Sequence, residues 1–91
     1  METRADRIRS VLQARFAPVA LEVTDDSRQH AGHMGARPEG ETHYTVLLVS
    51  PAFSGMSRVE RSRAVHEALA EEFARGLHAL ALALRAPEEL R

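Results

Sequence analysis

The sequence predicts a small α/β (α+β) domain with the element order αββαβ and a three-stranded mixed sheet whose helices lie on one face. Segments 3–16 and 57–75 predict helices, because each begins at a capping residue and repeats apolar side chains at helical spacing. Segments 19–25, 42–50 and 78–84 predict strands from their alternating or continuous apolar character. At 91 residues the chain has the length of one domain with a limited core, and we expect residues 1–91 to form it.

The first helix and strand are predicted from local signals. Thr3 can cap a helix that ends near Phe16, and Asp6 lies in its first turn, where the helix dipole favours an anion. Pro18 prevents further helix. In the strand that follows, one face is apolar and the other polar, which predicts a sheet covered by helices on a single side.

The second helix is predicted from a capping box formed by Ser57 and Glu60. It is expected to continue to about Arg75 and to end at Gly76, where a positive φ is favourable. Its predicted buried stripe repeats at helical spacing. The stripe comprises Val59, Ser62, Val65, Leu69 and Phe73.

The second and third strands are predicted to be parallel neighbours. The second strand, 42–50, has apolar residues on both faces, which favours a central position. In segment 78–84 the strict period of two favours a strand, although alanine and leucine also form helices well. The segment between the two strands has the length of a right-handed β–α–β crossover.

The composition argues against several classes of function. The net charge of −1 gives no general attraction to nucleic acid. The sequence has no apolar run of about 18 residues and no apolar signal core near its start, so we expect a cytoplasmic protein without membrane contact. It contains no cysteine. A thiol nucleophile, a disulfide and a thiolate metal ligand are therefore excluded.

We also expect that the protein is not an enzyme. The sequence lacks the glycine-flanked serine of hydrolases, the phosphate-binding glycine loop and the paired histidines of zinc proteases. The adjacent carboxylates at 25–26, 71–72 and 88–89 are expected on solvated surfaces, where sequence neighbours point apart.

Histidines are the remaining candidates for chemistry, since neutral imidazole binds iron, zinc and copper. His30 and His33 lie in a glycine-containing loop, 26–41, and His78 begins the third strand. From spacing alone the loop histidines could be ligands or simply solvated. His43 is interpreted as a hydrogen-bonded residue at a strand start, and His66 as an ordinary residue beside the apolar stripe.

Several of these segments together resemble the BolA family of small α/β proteins. They are FSGMSRVERSR, GLHAL, APEE, ETHY before an apolar strand, and DDS followed by a histidine. The resemblance extends from about Ile8 to Glu89 and implies a fold similar to one variant of KH domains. The sequence differs from the family at Ser62, where a helix histidine is usual.

The resemblance implies an adaptor that forms a heterocomplex with a monothiol glutaredoxin. The two proteins would share a [2Fe-2S] cluster, in iron–sulfur cluster assembly, trafficking or iron regulation. The implied ligands are His78 and a loop histidine, for which His30 fits best and His33 is the second choice. Glutaredoxin and glutathione would supply the other ligands, and the isolated chain, a monomer or weak homodimer, would bind no cluster itself.

Two other functions stay open. BolA-like proteins are also associated with transcriptional regulation, which would make DNA a partner contacted by Gly55, Arg58, Arg61 and Arg63 at the start of the second helix. The net charge, the interleaved glutamates and the absence of a GxxG clamp weigh against this reading, and a solvated helix face explains the arginines equally well. The third possibility is a purely protein-binding module in which the histidines are incidental.

Overall fold

The computed structural model describes residues 2–26 and 42–90. Within these residues the helices and strands follow the predicted order, with two short 3-10 turns added. The elements are α1 (Arg4–Phe16), β1 (Ala20–Asp25), β2 (His43–Val49), a turn at Pro51–Phe53, α2 (Arg58–Ala68), α3 (Ala70–Ala74), β3 (Ala79–Arg85) and a C-terminal turn at Pro87–Leu90.

Both predicted helix starts are confirmed by side-chain caps. The Thr3 hydroxyl accepts a hydrogen bond from the backbone N–H of Asp6, and the Asp6 carboxylate accepts one from the N–H of Thr3. Ser57 and Glu60 exchange the same two bonds at the start of α2. Each pair satisfies backbone donors that have no partner inside the helix.

The sheet is the predicted mixed sheet, with β2 in its centre. β1 pairs with β2 in antiparallel register, and β3 pairs with β2 in parallel register, His43 opposite Ala79. The alanine–leucine segment is thus a strand. Gly76 precedes it with φ of 117°, a conformation open to glycine, and ends the helix as predicted.

The helices pack on one face of the sheet and enclose a single apolar cluster. Its buried members come mainly from α1, α2, β2 and β3, whereas β1 and α3 contribute only partly buried side chains. This packing of helices on a sheet is typical of a two-layer domain. The buried members include Ile8, Leu12, Tyr44, Val46, Leu48, Phe53, Val65, Leu69, Leu77 and Leu84.

The second helix differs from its prediction in two respects. It is broken at Leu69 into α2 and α3, and its buried stripe is rotated. Val59 is 57% exposed, whereas Arg61 is only 7% exposed. The buried stripe therefore runs through Arg61, Val65 and Leu69, each four residues apart. Arginine can occupy this stripe because the methylene groups of its side chain pack against apolar surface. Its guanidinium lies 5.8 Å from the centre of the Phe53 ring.

The expectation that Glu71 and Glu72 are both solvated is wrong for Glu72, which is 5% exposed. Arg7 donates two hydrogen bonds to its carboxylate, at 3.0 and 3.1 Å, and Arg4 donates one at 3.2 Å. These bonds lower the pKa of Glu72, those from Arg7 most strongly. A buried carboxylate needs such partners. They join α1 to α3.

No helix in the described ranges is both long and apolar enough to cross a membrane.

Candidate functional site

His78 lies at one end of the sheet, directly before β3. Its backbone N–H donates to the carbonyl of Thr42 at 2.8 Å, and the next N–H, that of Ala79, donates to the same oxygen at 3.1 Å. Leu77, on its other side, is buried in the core. The backbone of His78 is therefore held from both sides, while its imidazole is exposed to solvent.

His43 lies beside His78, and the two ring centres are 5.2 Å apart with an angle of 54° between the planes. Nδ1 of His43 is 2.9 Å from the hydroxyl of Thr42, which confirms the predicted hydrogen-bonded residue at a strand start. The contact with His78 was not predicted. Its signal is present in the sequence, because parallel strands begin at the same edge of a sheet and both histidines occur where their strands begin.

The two loop candidates, His30 and His33, lie outside the described residues. Within the ranges that are described, no group of three or more histidine, cysteine, aspartate or glutamate side chains could hold a metal ion. What the described geometry offers is one accessible imidazole on a fixed backbone. Such a group can donate a nitrogen to a metal centre that another molecule presents.

His66 is placed as predicted, beside the apolar stripe and exposed. Its Nδ1 is 2.8 Å from the carbonyl oxygen of Ser62, and its ring stacks on Phe73 at 5.4 Å. Ser62, at the position where the family usually has a histidine, is half-buried. Neither residue lies among the contacts of His78.

The candidate DNA-contact set loses one member. Arg61 donates to Glu89 from Nη1 and Nη2, at 2.6 and 2.7 Å, and from Nε to the carbonyl of Met56 at 3.0 Å. The guanidinium of Arg61 therefore binds groups within the protein and is not available to contact DNA. Gly55 has φ of 80°, and its turn and the exposed Arg58 and Arg63 remain at the surface.

The pairing with Arg61 also perturbs Glu89. Hydrogen bonds from the guanidinium, aided by one from the N–H of Ala86, lower the pKa of this carboxyl from 4.5 to about 2. The pair joins α2 to the C-terminal turn. Sequence reasoning missed it because the two residues are 28 positions apart and only the tertiary fold brings them together.

Comparison with known proteins defines the class to which this chain belongs. Residues 12–89 match the family model described as BolA-like protein, and the chain belongs to this family. Protein BOLA1, chloroplastic, of Arabidopsis thaliana is 46% identical over 91 residues, which cover 98% of this chain and 57% of that protein. SufE-like protein 1, chloroplastic/mitochondrial, of the same plant is 44% identical over 92 residues, or 97% of this chain and 25% of that protein.

The fold is confirmed by a solved structure, the BolA domain of SufE1 from Arabidopsis thaliana. It superposes with a TM-score of 0.86 at 44% identity and covers 98% of each chain. The present chain spans little more than half of the BOLA1 relative and a quarter of the SufE-like one. Both of these relatives are named as chloroplastic, and the SufE-like one also as mitochondrial, so the cytoplasmic location stays a prediction.

Proposed function

We propose that this BolA-like protein is an adaptor that binds a monothiol glutaredoxin and shares a [2Fe-2S] cluster with it. Its role would lie in iron–sulfur cluster assembly, trafficking or iron regulation. The observation that carries the proposal is the exposed imidazole of His78 on a backbone held by two hydrogen bonds to Thr42.

The donor set fits a cluster that is shared between two molecules. The chain has no cysteine, and its described residues contain no group of three candidate ligands. In the proposed complex, His78 supplies one nitrogen and His30, or failing that His33, supplies the second. Thiolates of glutaredoxin and glutathione supply the rest. Imidazole in place of thiolate raises the reduction potential of such a cluster and makes its binding depend on protonation.

His43 is assigned a positioning role in this proposal. Its ring lies against that of His78 and is itself held by the Thr42 hydroxyl, so it limits the orientations that the His78 ring can adopt. The name of the SufE-like relative also supports a role connected with iron–sulfur chemistry, since a BolA-like region accounts for part of that protein.

The test is to mix the protein with a monothiol glutaredoxin, glutathione, iron and sulfide, and to record visible circular dichroism and elution volume. We expect a heterodimer whose cluster spectrum changes in His78→Ala. His66→Ala is the matched control, because this exposed histidine lies on the helical side of the domain and should leave the spectrum unchanged. A glutaredoxin spectrum that is the same with and without the protein would overturn the proposal.

Two alternatives have distinct outcomes in related measurements. A protein-binding module with incidental histidines would form the heterodimer equally well without iron and sulfide. A transcriptional regulator would bind DNA with a steep salt dependence. In that case Arg58→Ala should reduce the slope of log K against log salt by about 0.9, the value for one phosphate contact.

A further inference from the structure

The outer edge of β3 is available for pairing with another strand at Leu80 and Leu82. Ala79 donates to Thr42, and Arg85 accepts from Ser50, so the backbone groups of these two residues face β2. Backbone direction alternates along a strand, which turns the N–H and C=O groups of Leu80, Leu82 and Leu84 outward. In the described part of the chain, no strand lies on that side.

This edge lacks the features with which proteins usually prevent edge pairing. β3 reads ALALALR over seven residues, without proline and without charge before its last position. The opposite edge, β1, carries Glu22 and Asp25 in a six-residue strand. Long apolar edges of the first kind are sites at which a further strand adds.

A basic groove lies beside the same edge, between the start of α2 and β3. It has a volume of about 320 Å³ and is lined by Met56, Arg58, Arg61, Leu84, Arg85 and Glu89. An adjoining groove shares the three arginines and adds Ser62 and Leu82. Arg61 and Glu89 neutralise each other, and Nη1 groups of Arg61 and Arg85 bind the carbonyl oxygen of Leu84. The exposed guanidinium groups of Arg58 and Arg85 therefore make the groove positively charged.

We propose that β3 and this groove bind an extended acidic segment of a partner protein, which adds to the sheet as a fourth strand. Its backbone would pair with Leu80 and Leu82, and carboxylates at alternate positions would face Arg58 and Arg85. The positive charge of the groove favours an acidic segment as its occupant. A second copy paired through β3 would offer no carboxylate to Arg58 and Arg85, because β3 is ALALALR and contains no acidic residue.

The peptide site is independent of the proposed cluster site. His78 precedes β3, whereas Arg85 ends it, and seven residues of strand correspond to roughly 23 Å at about 3.3 Å per residue. A partner could therefore be held at one end of β3 while the imidazole at the other end stays accessible. Failure of cluster binding would leave the peptide site untouched.

The test is NMR titration of the full ¹⁵N-labelled chain with a capped eight-residue peptide of alternating glutamate and threonine. We expect shifts concentrated at the amides of Leu80, Leu82 and Leu84, with slower hydrogen exchange there. The same peptide with glutamine in place of glutamate should bind roughly tenfold more weakly, as should Arg58→Glu and Arg85→Glu with the acidic peptide. Arg63→Glu is the matched control, since Arg63 is exposed on α2 but does not line the groove.

Four outcomes would overturn the proposal. The first is the absence of shifts at β3 on addition of the acidic peptide. The second is equal binding of the glutamine peptide. The third is binding of a single-stranded DNA 12-mer, but not of the acidic peptide, in the same groove. The fourth is a change at Leu80 and Leu82 with protein concentration alone, which would indicate pairing between copies.

Discussion

The carboxylate of Glu89 accepts hydrogen bonds from two nitrogens of Arg61, at 2.6 and 2.7 Å, and this pair connects α2 to the C-terminal turn. Because the pKa of Glu89 falls to about 2 in the folded protein against 4.5, the pair stabilises the fold fully above about pH 4.5. The contribution is lost as the pH falls from 4.5 towards 2. Urea unfolding at a series of pH values should show this loss of stability. In Glu89→Gln the decrease in the free energy of unfolding between pH 4.5 and pH 2 should be smaller. Glu67→Gln is the matched control, because it changes an exposed carboxylate of α2 that lies outside the Arg61–Glu89 pair.

Glu72→Ala should destabilise the protein by about 2 kcal/mol, because Arg4 and Arg7 are then left partly buried without their carboxylate. The matched control is Glu71→Ala. Glu71 is exposed and pairs only with the exposed Arg75 among the described residues, so about 0.5 kcal/mol or less is expected. Urea unfolding at pH 7 measures both values. Equal losses would contradict the assignment of Glu72 as the link between α1 and α3.

Gly55→Ala should cost about 1 kcal/mol, although space is available for the added methyl group. No atom lies within 4 Å of the Cβ position, but φ of 80° is unfavourable for alanine. Gly55→Asn should cost less, since asparagine tolerates this conformation better. Thermal unfolding compares the two variants, and an unchanged midpoint for alanine would show that the turn can relax.

His43→Ala is expected to retain a cluster spectrum in the glutaredoxin complex but to alter its shape and shorten its lifetime. The neighbouring ring no longer restricts His78, whereas the imidazole of His78, the proposed ligand, is still present. Visible circular dichroism over time measures both effects. A spectrum that disappears completely, as expected for His78→Ala, would mean that His43 is a ligand and not a positioning residue.

His30→Ala and His33→Ala should distinguish the two loop candidates. The variant that removes the second ligand should weaken cluster binding as His78→Ala does, and the other should behave like the wild type. We expect His30→Ala to be the damaging change, as the resemblance implies. Loss in neither variant would remove the loop from the proposed ligand set.

The parts of the fold that depend on neighbours in sequence were predictable. The caps formed by Thr3 with Asp6 and by Ser57 with Glu60 span three residues, and the positive φ of Gly76 depends on one. The sheet order followed from apolar patterns and connection length.

Contacts between distant residues were not predictable in the same way. Glu72 and Arg7 are 65 residues apart in the sequence, and Arg61 and Glu89 are 28 apart. Only the packed structure therefore shows that these charged side chains are paired with each other. His78 was identified as a candidate from its place at a strand start and from the family resemblance. Its contact with His43 depends on the parallel register of two strands.

The residues that flank positions 27–41, Asp26 and Thr42, both lie at one end of the sheet. The N–H of Asp26 donates to the carbonyl of His43, and Thr42 holds the backbone of His78. Because Asp26 and Thr42 are held by paired strands, a change in the number of residues between such anchor points costs little entropy. The segment can therefore be exchanged as a cassette. In the proposed cluster site, loops that carry different donor residues between Asp26 and Thr42 would change the proposed loop ligand, while His78 stays in place.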